Sequence, residues 1–412
     1  MTARERVERA LASAEERSEL GAFWALDRER ALNRARRLDA DDSHAYGLRP
    51  MAGVPVAIKD ILDMRELPTT VGVAGRHPSA RSDCAAVRRL KAAGAIPIGK
   101  TAMDPLGATT SGQAPGFAPC RNPVDARLSP GGSSSGSAVA VAAGIVPLAL
   151  GTDTAGSIRI PAAYCGIVGF KPALSDVPRR GCVPVMPGFD TVGVLAASVG
   201  DCVLAYNALT GGDATRPPPR RALRVAVLDD LIEESEEPVA RACELAGAEL
   251  ERAGVRVERA RLDWRPRGFG RVLGYEMAQT WGEEVSRTPA CFSEIIRETV
   301  EMGRRTAQVD YREAKGALER ARVDLARGLQ RFDAVLCPTV PAAAPDLEAE
   351  SVRVSTRFTR IFNALDWPAV SLPASRDPDG RPIGVQIGGP APRLGAILDM
   401  STKLDRALRG AT

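Results

Sequence analysis

GGSSSGSAVAVAAG occupies Gly131–Gly144, and GTDTAGSIRIPAA follows it at Gly151–Ala163. The first stretch reads as a glycine- and serine-rich loop running into a helix of small residues over Ser137–Gly144. Between the two stretches, Val146–Leu150 is a short apolar run of the kind found in buried strands. Upstream, GVPVAIKD (Gly53–Asp60) is a similar run, Val54–Ile58, which delivers Lys59 at its C-terminal end. A buried strand ending in lysine and two serine-bearing glycine turns point to an α/β enzyme that works with serine and lysine.

The histidines sharpen that reading. The chain has only His44 and His77, both N-terminal to the serine motifs. Gly132–Gly136 fits the G-x-S-x-G nucleophile elbow as a bare pattern, but that fold needs a histidine after its serine, and none follows His77. A chymotrypsin-like order through His77, with Asp83 or Asp104 and a later serine, is formally open, and the mixed helix and strand patterns speak against its all-β barrel.

Composition is that of an ordinary globular enzyme. Of 412 residues, 44% are hydrophobic and 26% charged, with a net charge of +4, so no nucleic-acid footprint is expected. The eight cysteines stand singly without C-x-x-C spacing or neighbouring histidines, which predicts no metal site and unpaired thiols in a reducing compartment. The N-terminal MTARERVERALASAEERSE lacks the apolar core of a signal peptide. The longest apolar run, Ala138–Leu150, is interrupted by Gly144 and Pro147 and is too short to span a bilayer. The expectation is a cytoplasmic enzyme with no membrane segment.

Apolar spacing predicts two amphipathic helices over residues 3–40 broken near Gly21, a helix Ala85–Ala93 closed by Gly94, and a strand Ala95–Ile98. Gly94–Thr101 satisfies the Walker A expression, but a helix precedes it and Ile-Pro-Ile fills its middle, which suits a strand and not a phosphate cradle. Strands are expected at Leu223–Leu228, Val255–Ala260, Ala334–Leu336, Ala369–Leu372 and Ile383–Ile387, with Cys165–Lys171 in a compact glycine-punctuated region. A helix is expected at Pro238–Ala253, mostly helical chain over 270–330, and a surface connection at 216–221.

Amide hydrolysis needs an activated nucleophile, donors for the developing oxyanion and a proton source for the leaving amine. Ser157 is the candidate nucleophile, and the N–H groups of Thr154, Ala155, Gly156 and Ser157 are the candidate donors. Lys59 is the candidate base, since burial favours its neutral form. A serine of Gly131–Gly136 would relay the proton, and spacing alone leaves open which one. Arg159 is a candidate for a substrate carboxylate, with a structural pair to Asp153 as the alternative. Trp264, Trp281, Tyr275 and Tyr311 are candidates to cover the pocket or to lie in the core. The bland readings are a flexible linker for the Gly/Ser run and a surface turn for Lys59-Asp60.

Together these motifs resemble the amidase signature family, whose hallmark segments are similar to Gly53–Asp60, Gly131–Gly144 and Gly151–Ala163. Weaker similarity covers Pro68–Thr101, FTRIFNALDWPAVSLPA and GVQIGG, so the resemblance spans most of the chain. It implies Lys59 as base, Ser133 as a cis-peptide relay serine, Ser157 as the acylated serine, and the amides of Thr154 to Ser157 as oxyanion donors. It also implies an α/β fold of one large domain over 1–412, a mixed twisted central sheet with helices on both faces, a signature core over about 50–200, and a helical pocket-covering region over about 262–330. A small-molecule amide substrate, no cofactor, and a homodimer follow from the same resemblance. Three departures stand out: Ala155 for a glycine, Leu128 for a basic residue with Arg127 displaced by one, and Met103–Gly116 for the E-F-x-x-G pattern. The alternatives are acyl transfer to an amine, one component of a multi-subunit amidotransferase, and a non-catalytic binding protein.

Overall fold

Alternation along the strands builds the layers. In Pro55–Lys59, Val56 and Ile58 pack into one apolar core and Ala57 into another, as a two-residue period across a sheet requires. Among the described residues, eleven strands share this sheet: β1 (Phe23–Leu26), β2 (Pro55–Lys59), β3 (Ile96–Thr101), β4 (Leu148–Asp153), β5 (Val168–Lys171), β6 (Thr191–Ala196), β7 (Arg224–Leu228), β8 (Arg256–Ala260), β9 (Ala334–Pro338), β10 (Ala369–Arg376) and β11 (Pro382–Gly388). Their order is β1-β3-β2-β4-β6-β5-β10-β11-β9-β7-β8. The computed structural model describes residues 1–40, 49–65, 67–76, 78–212, 221–262, 265, 267–348 and 355–410. His44, His77, Trp264 and most of the 216–221 connection lie outside them.

The sheet is mixed. β3, β2 and β4 run parallel, as do β8, β7 and β9, while the strands between them pair antiparallel. Helices Ala85–Ala92, Val199–Thr210, Glu237–Arg252 and Leu394–Gly410 contribute to the core on one face. Helices Ala3–Glu16, Arg28–Asp39 and Ser135–Ala142 cover the other face beside β2 and β4, and Arg357–Ala364 packs beside β7 and β9. Three further helices, Phe269–Arg287, Glu294–Arg305 and Gln308–Gly328, form the predicted helical region. No described helix is long and apolar enough to cross a membrane.

Three elements differ from the sequence reading. The break near Gly21 holds an edge strand, β1, paired antiparallel to β3. Arg159–Cys165 forms a helix, with Pro161 in its first turn, where the missing N–H costs no hydrogen bond. β6 fills the gap between β4 and β5. The Walker-like segment is strand β3, and its Lys100 is buried against Asp60 at 3.0 Å. Asp60 is therefore no surface turn.

Candidate active site

Lys59 ends β2 with its side chain fully buried. Its Nζ lies 2.8 Å from Ser133 Oγ and 2.9 Å from Thr152 Oγ1, and 3.5 Å from the Thr152 carbonyl. β4 pairs parallel with β2, which brings Thr152 alongside. Burial lowers the Lys59 ammonium to about 8, against a smaller opposing pull from Asp104, Asp153 and Asp190. A neutral lysine here has two N–H groups for the two Thr152 oxygens and a lone pair for the Ser133 hydroxyl.

Ser133 is fully buried at the mouth of the helix Ser135–Ala142, and the Gly132–Ser133 peptide is cis. Its Oγ also lies 3.2 Å from the Gly107 carbonyl. The Met103–Gly116 segment therefore forms one wall around Ser133. Asp104 organises that wall, accepting from Thr109 Oγ1 (2.8 Å), the Ser111 N–H (2.7 Å) and hydroxyl (3.0 Å), and the Gly112 N–H (3.1 Å). A side chain at Gly132 would land on the Asp104 carboxylate, so only glycine fits that approach.

Ser157 sits in the turn between β4 and the helix Arg159–Cys165, and its carbonyl accepts from the Ser134 N–H at 3.1 Å. That bond ties the two serine loops together. Asp153, at the end of β4, shapes the turn by accepting from the Gly156 N–H (2.8 Å) and the Ile158 N–H (3.2 Å). Gly156 has φ +130°, and a side chain there would meet Thr359. Of the four amides singled out from sequence, that of Gly156 is thus turned to Asp153. Those of Thr154, Ala155 and Ser157 remain the candidate donors.

Arg159 corrects the sequence reading that gave it a substrate carboxylate. It is fully buried, and its five N–H groups meet Asp153 Oδ2 (3.0 Å) and Oδ1 (2.9 Å), the Thr359 carbonyl (2.9 Å), Gln386 Oε1 (3.0 Å) and Asn363 Oδ1 (2.7 Å). Burial works against the Asp153 charge, but Arg159 and Asn363 outweigh it and hold the carboxyl at about 2. The alternative, a structural pair, is what the chain contains.

On the other side of the turn, Asp190 accepts from Thr154 Oγ1 (2.6 Å) and from the N–H groups of Val185 (2.8 Å) and Met186 (2.9 Å). Met186 and Phe189 join Phe269, Val272, Ala314, Leu318 and Ala364 in an apolar cluster that Ala155 borders. Tyr311 also borders it, stacked on Tyr275 at 4.3 Å and bonded to Glu276. Trp281 lies in the main core, its Nε1 donating to the Pro184 carbonyl at 3.0 Å. Leu128 packs with Ile160 and Tyr164, while Arg127 stays at the surface beside Asp125. Arg127 therefore does not replace a buried basic residue. Among the described residues no group of His, Cys, Asp and Glu is arranged to hold a metal ion.

Sequence reasoning placed Lys59, Ser133 and Ser157 on elements that the fold brings side by side. Thr152 and Asp190 were not singled out from the sequence, and Asp104, weighed there only as the acid of a chymotrypsin-like order, instead organises the wall around Ser133. Thr152 carried a signal, since a threonine near the end of β4 faces whatever ends the parallel neighbour β2.

An α/β sheet thus brings a buried lysine–serine pair and a serine-bearing turn to adjoining strand ends. The model of the amidase family matches residues 5–393, and the chain belongs to that family. It is 33% identical over 450 residues to the putative amidase AmiA2 of Mycobacterium tuberculosis, covering 100% of this chain and 91% of that protein. It is 34% identical over 421 residues to a glutamyl-tRNA(Gln) amidotransferase subunit of Symbiobacterium thermophilum, covering 90% of this chain and 86% of that protein. An amidase crystal structure superposes with a TM-score of 0.90 at 31% identity, covering 99% of this chain and 96% of that one. The chain is an α/β enzyme that hydrolyses amide bonds.

Proposed function

We propose that Ser157 attacks the carbonyl of a small-molecule amide while neutral Lys59 removes the proton through Ser133. The Ser133 hydroxyl gives its proton to Lys59 Nζ and takes the one leaving Ser157 Oγ. The Ser157 Oγ–carbon bond forms and the carbonyl electrons move to oxygen, facing the amides of Thr154, Ala155 and Ser157. Collapse breaks the C–N bond, and the proton returns through Ser133 to the departing nitrogen. Water, deprotonated along the same path, then cleaves the Ser157 ester and releases the acid.

The observation that carries this reading is the fully buried Lys59, held at about 8 and 2.8 Å from Ser133 Oγ. A surface lysine stays charged at neutral pH and is no base. Unpaired thiols at all eight cysteines fit a cytoplasmic setting. The test is ammonia release from a panel of primary amides by the wild type and by Ser157→Ala. Loss of at least about 10⁴-fold in kcat with unchanged circular dichroism is expected; retained turnover in the variant overturns the nucleophile.

A further inference from the structure

Arg360 is a cation without an anionic partner among the described residues. It is half-buried on the helix Arg357–Ala364, and its Nε is sealed from solvent with no hydrogen-bond acceptor. Burial pulls its guanidinium below the ordinary arginine value, and the charge that adds to this is another cation, Arg357, itself paired to Glu234. Arg159 shows what the fold does with an arginine it needs for structure: every N–H has a partner. An unmatched guanidinium that has lost much of its water is costly unless something else supplies the acceptor.

Its place says what that something is. The preceding residue, Thr359, donates its hydroxyl to the Ala155 carbonyl at 2.5 Å, so this part of the helix lies directly against the turn that carries Ser157. One helical turn on, Ala364 belongs to the cluster of Met186, Phe189, Phe269 and Leu318 that Ala155 borders. Residues four apart share a helix face. Arg360 is thus on the face turned to that apolar cluster.

We infer that Arg360 binds a carboxylate on the acyl portion of the substrate, so that the enzyme hydrolyses ω-carboxy amides, the monoamides of dicarboxylic acids. The planar guanidinium takes a carboxylate through paired N–H donors. The apolar cluster takes the methylenes between that carboxylate and the scissile amide. This rests on the amidohydrolase reading for the site.

The experiment has two arms. In the first, kcat/KM is measured for malonamate, succinamate, glutaramate and adipamate against neutral amides of matched length, in the wild type, Arg360→Gln and Arg360→Lys. The expected result is a wild-type preference for at least one anionic amide. The anionic-to-neutral ratio should fall tenfold or more in Arg360→Gln, mainly through KM, with partial recovery in Arg360→Lys. The ratio is independent of the fraction of each variant that folds. In the second arm, the matching dicarboxylates are titrated calorimetrically into wild type and Arg360→Gln, with no turnover required. Turnover of amides with a ratio unchanged by Arg360→Gln overturns the inference and leaves the amidase reading standing. Arg360-dependent dicarboxylate binding without turnover of any amide supports the anion site and counts against the amidase reading. Wild-type binding of none of the dicarboxylates, or binding unaffected by Arg360→Gln, overturns the inference.

Discussion

Thr152 holds Lys59 by a direct hydrogen bond. Its Oγ1 accepts from the ammonium at 2.9 Å, which favours the charged form and opposes the effect of burial. In the proposed mechanism Lys59 acts as a neutral base, so kcat/KM is expected to rise with pH through about 8 and to be lost as pH falls below it. In Thr152→Val the acceptor is gone and the inflection should move to lower pH; a pH–rate profile that keeps its wild-type inflection would show that Thr152 has no hold on the base. Arg159 makes the companion case. Replacing it by methionine leaves Asp153 charged in a buried site, and a loss of about 3–5 kcal/mol in urea unfolding is expected. The difference in legibility between these residues is physical. Lys59 and Ser157 carry local signals, an apolar run before one and glycines around the other. The partners of Arg159 at Thr359, Asn363 and Gln386 lie about two hundred residues away, and only strand order brings them near.

At the scale of elements, the turn after β4 is held from two sides, by Asp153 below and Asp190 beside it. Asp190 accepts from two backbone N–H groups and one hydroxyl, a task that asparagine, with one carbonyl oxygen, cannot repeat. Asp190→Asn is expected to destabilise by about 1–3 kcal/mol and to lower kcat more than it raises KM, as paired denaturation and steady-state kinetics would show. Long apolar runs made β2, β4 and β9 readable from sequence. β1 was hidden because its four residues are only partly buried and sit between two amphipathic helices, so their pattern merges with the helical one. The helix Arg159–Cys165 was hidden by Pro161, which usually marks an end of helix and here sits at its beginning.

Across the whole molecule, burial acts on lysines and thiols in opposite senses. Lys59 and Lys171 are lowered by desolvation, to about 8 and about 7 from 10.5. The folded chain therefore binds fewer protons than the unfolded chain above pH 7, and stability rises with pH there, by about 1.4 kcal/mol per unit for each lysine at most. Burial pushes thiols the other way, Cys84 to about 11 and Cys120 and Cys337 to about 12. Above about pH 9 the unfolded chain loses those protons first, so stability falls. Unfolding free energy measured across pH 7–11 should pass through a maximum near about pH 9, and a monotonic fall from pH 7 would show that the lysines are not held neutral. In Lys59→Met the rise below that maximum should shrink while turnover disappears.

The clamp on Arg159 also orders events in time. The turn that carries Ser157 is made early in the chain, yet the groups that hold Arg159 in place come from Thr359, Asn363 and Gln386. A nascent chain on the ribosome has made its serine long before it can fix the loop around it. The turn around Ser157 can be clamped only once β10 and β11 have been made and have joined the sheet, and a chain that stops before them leaves the proposed nucleophile in a loose loop.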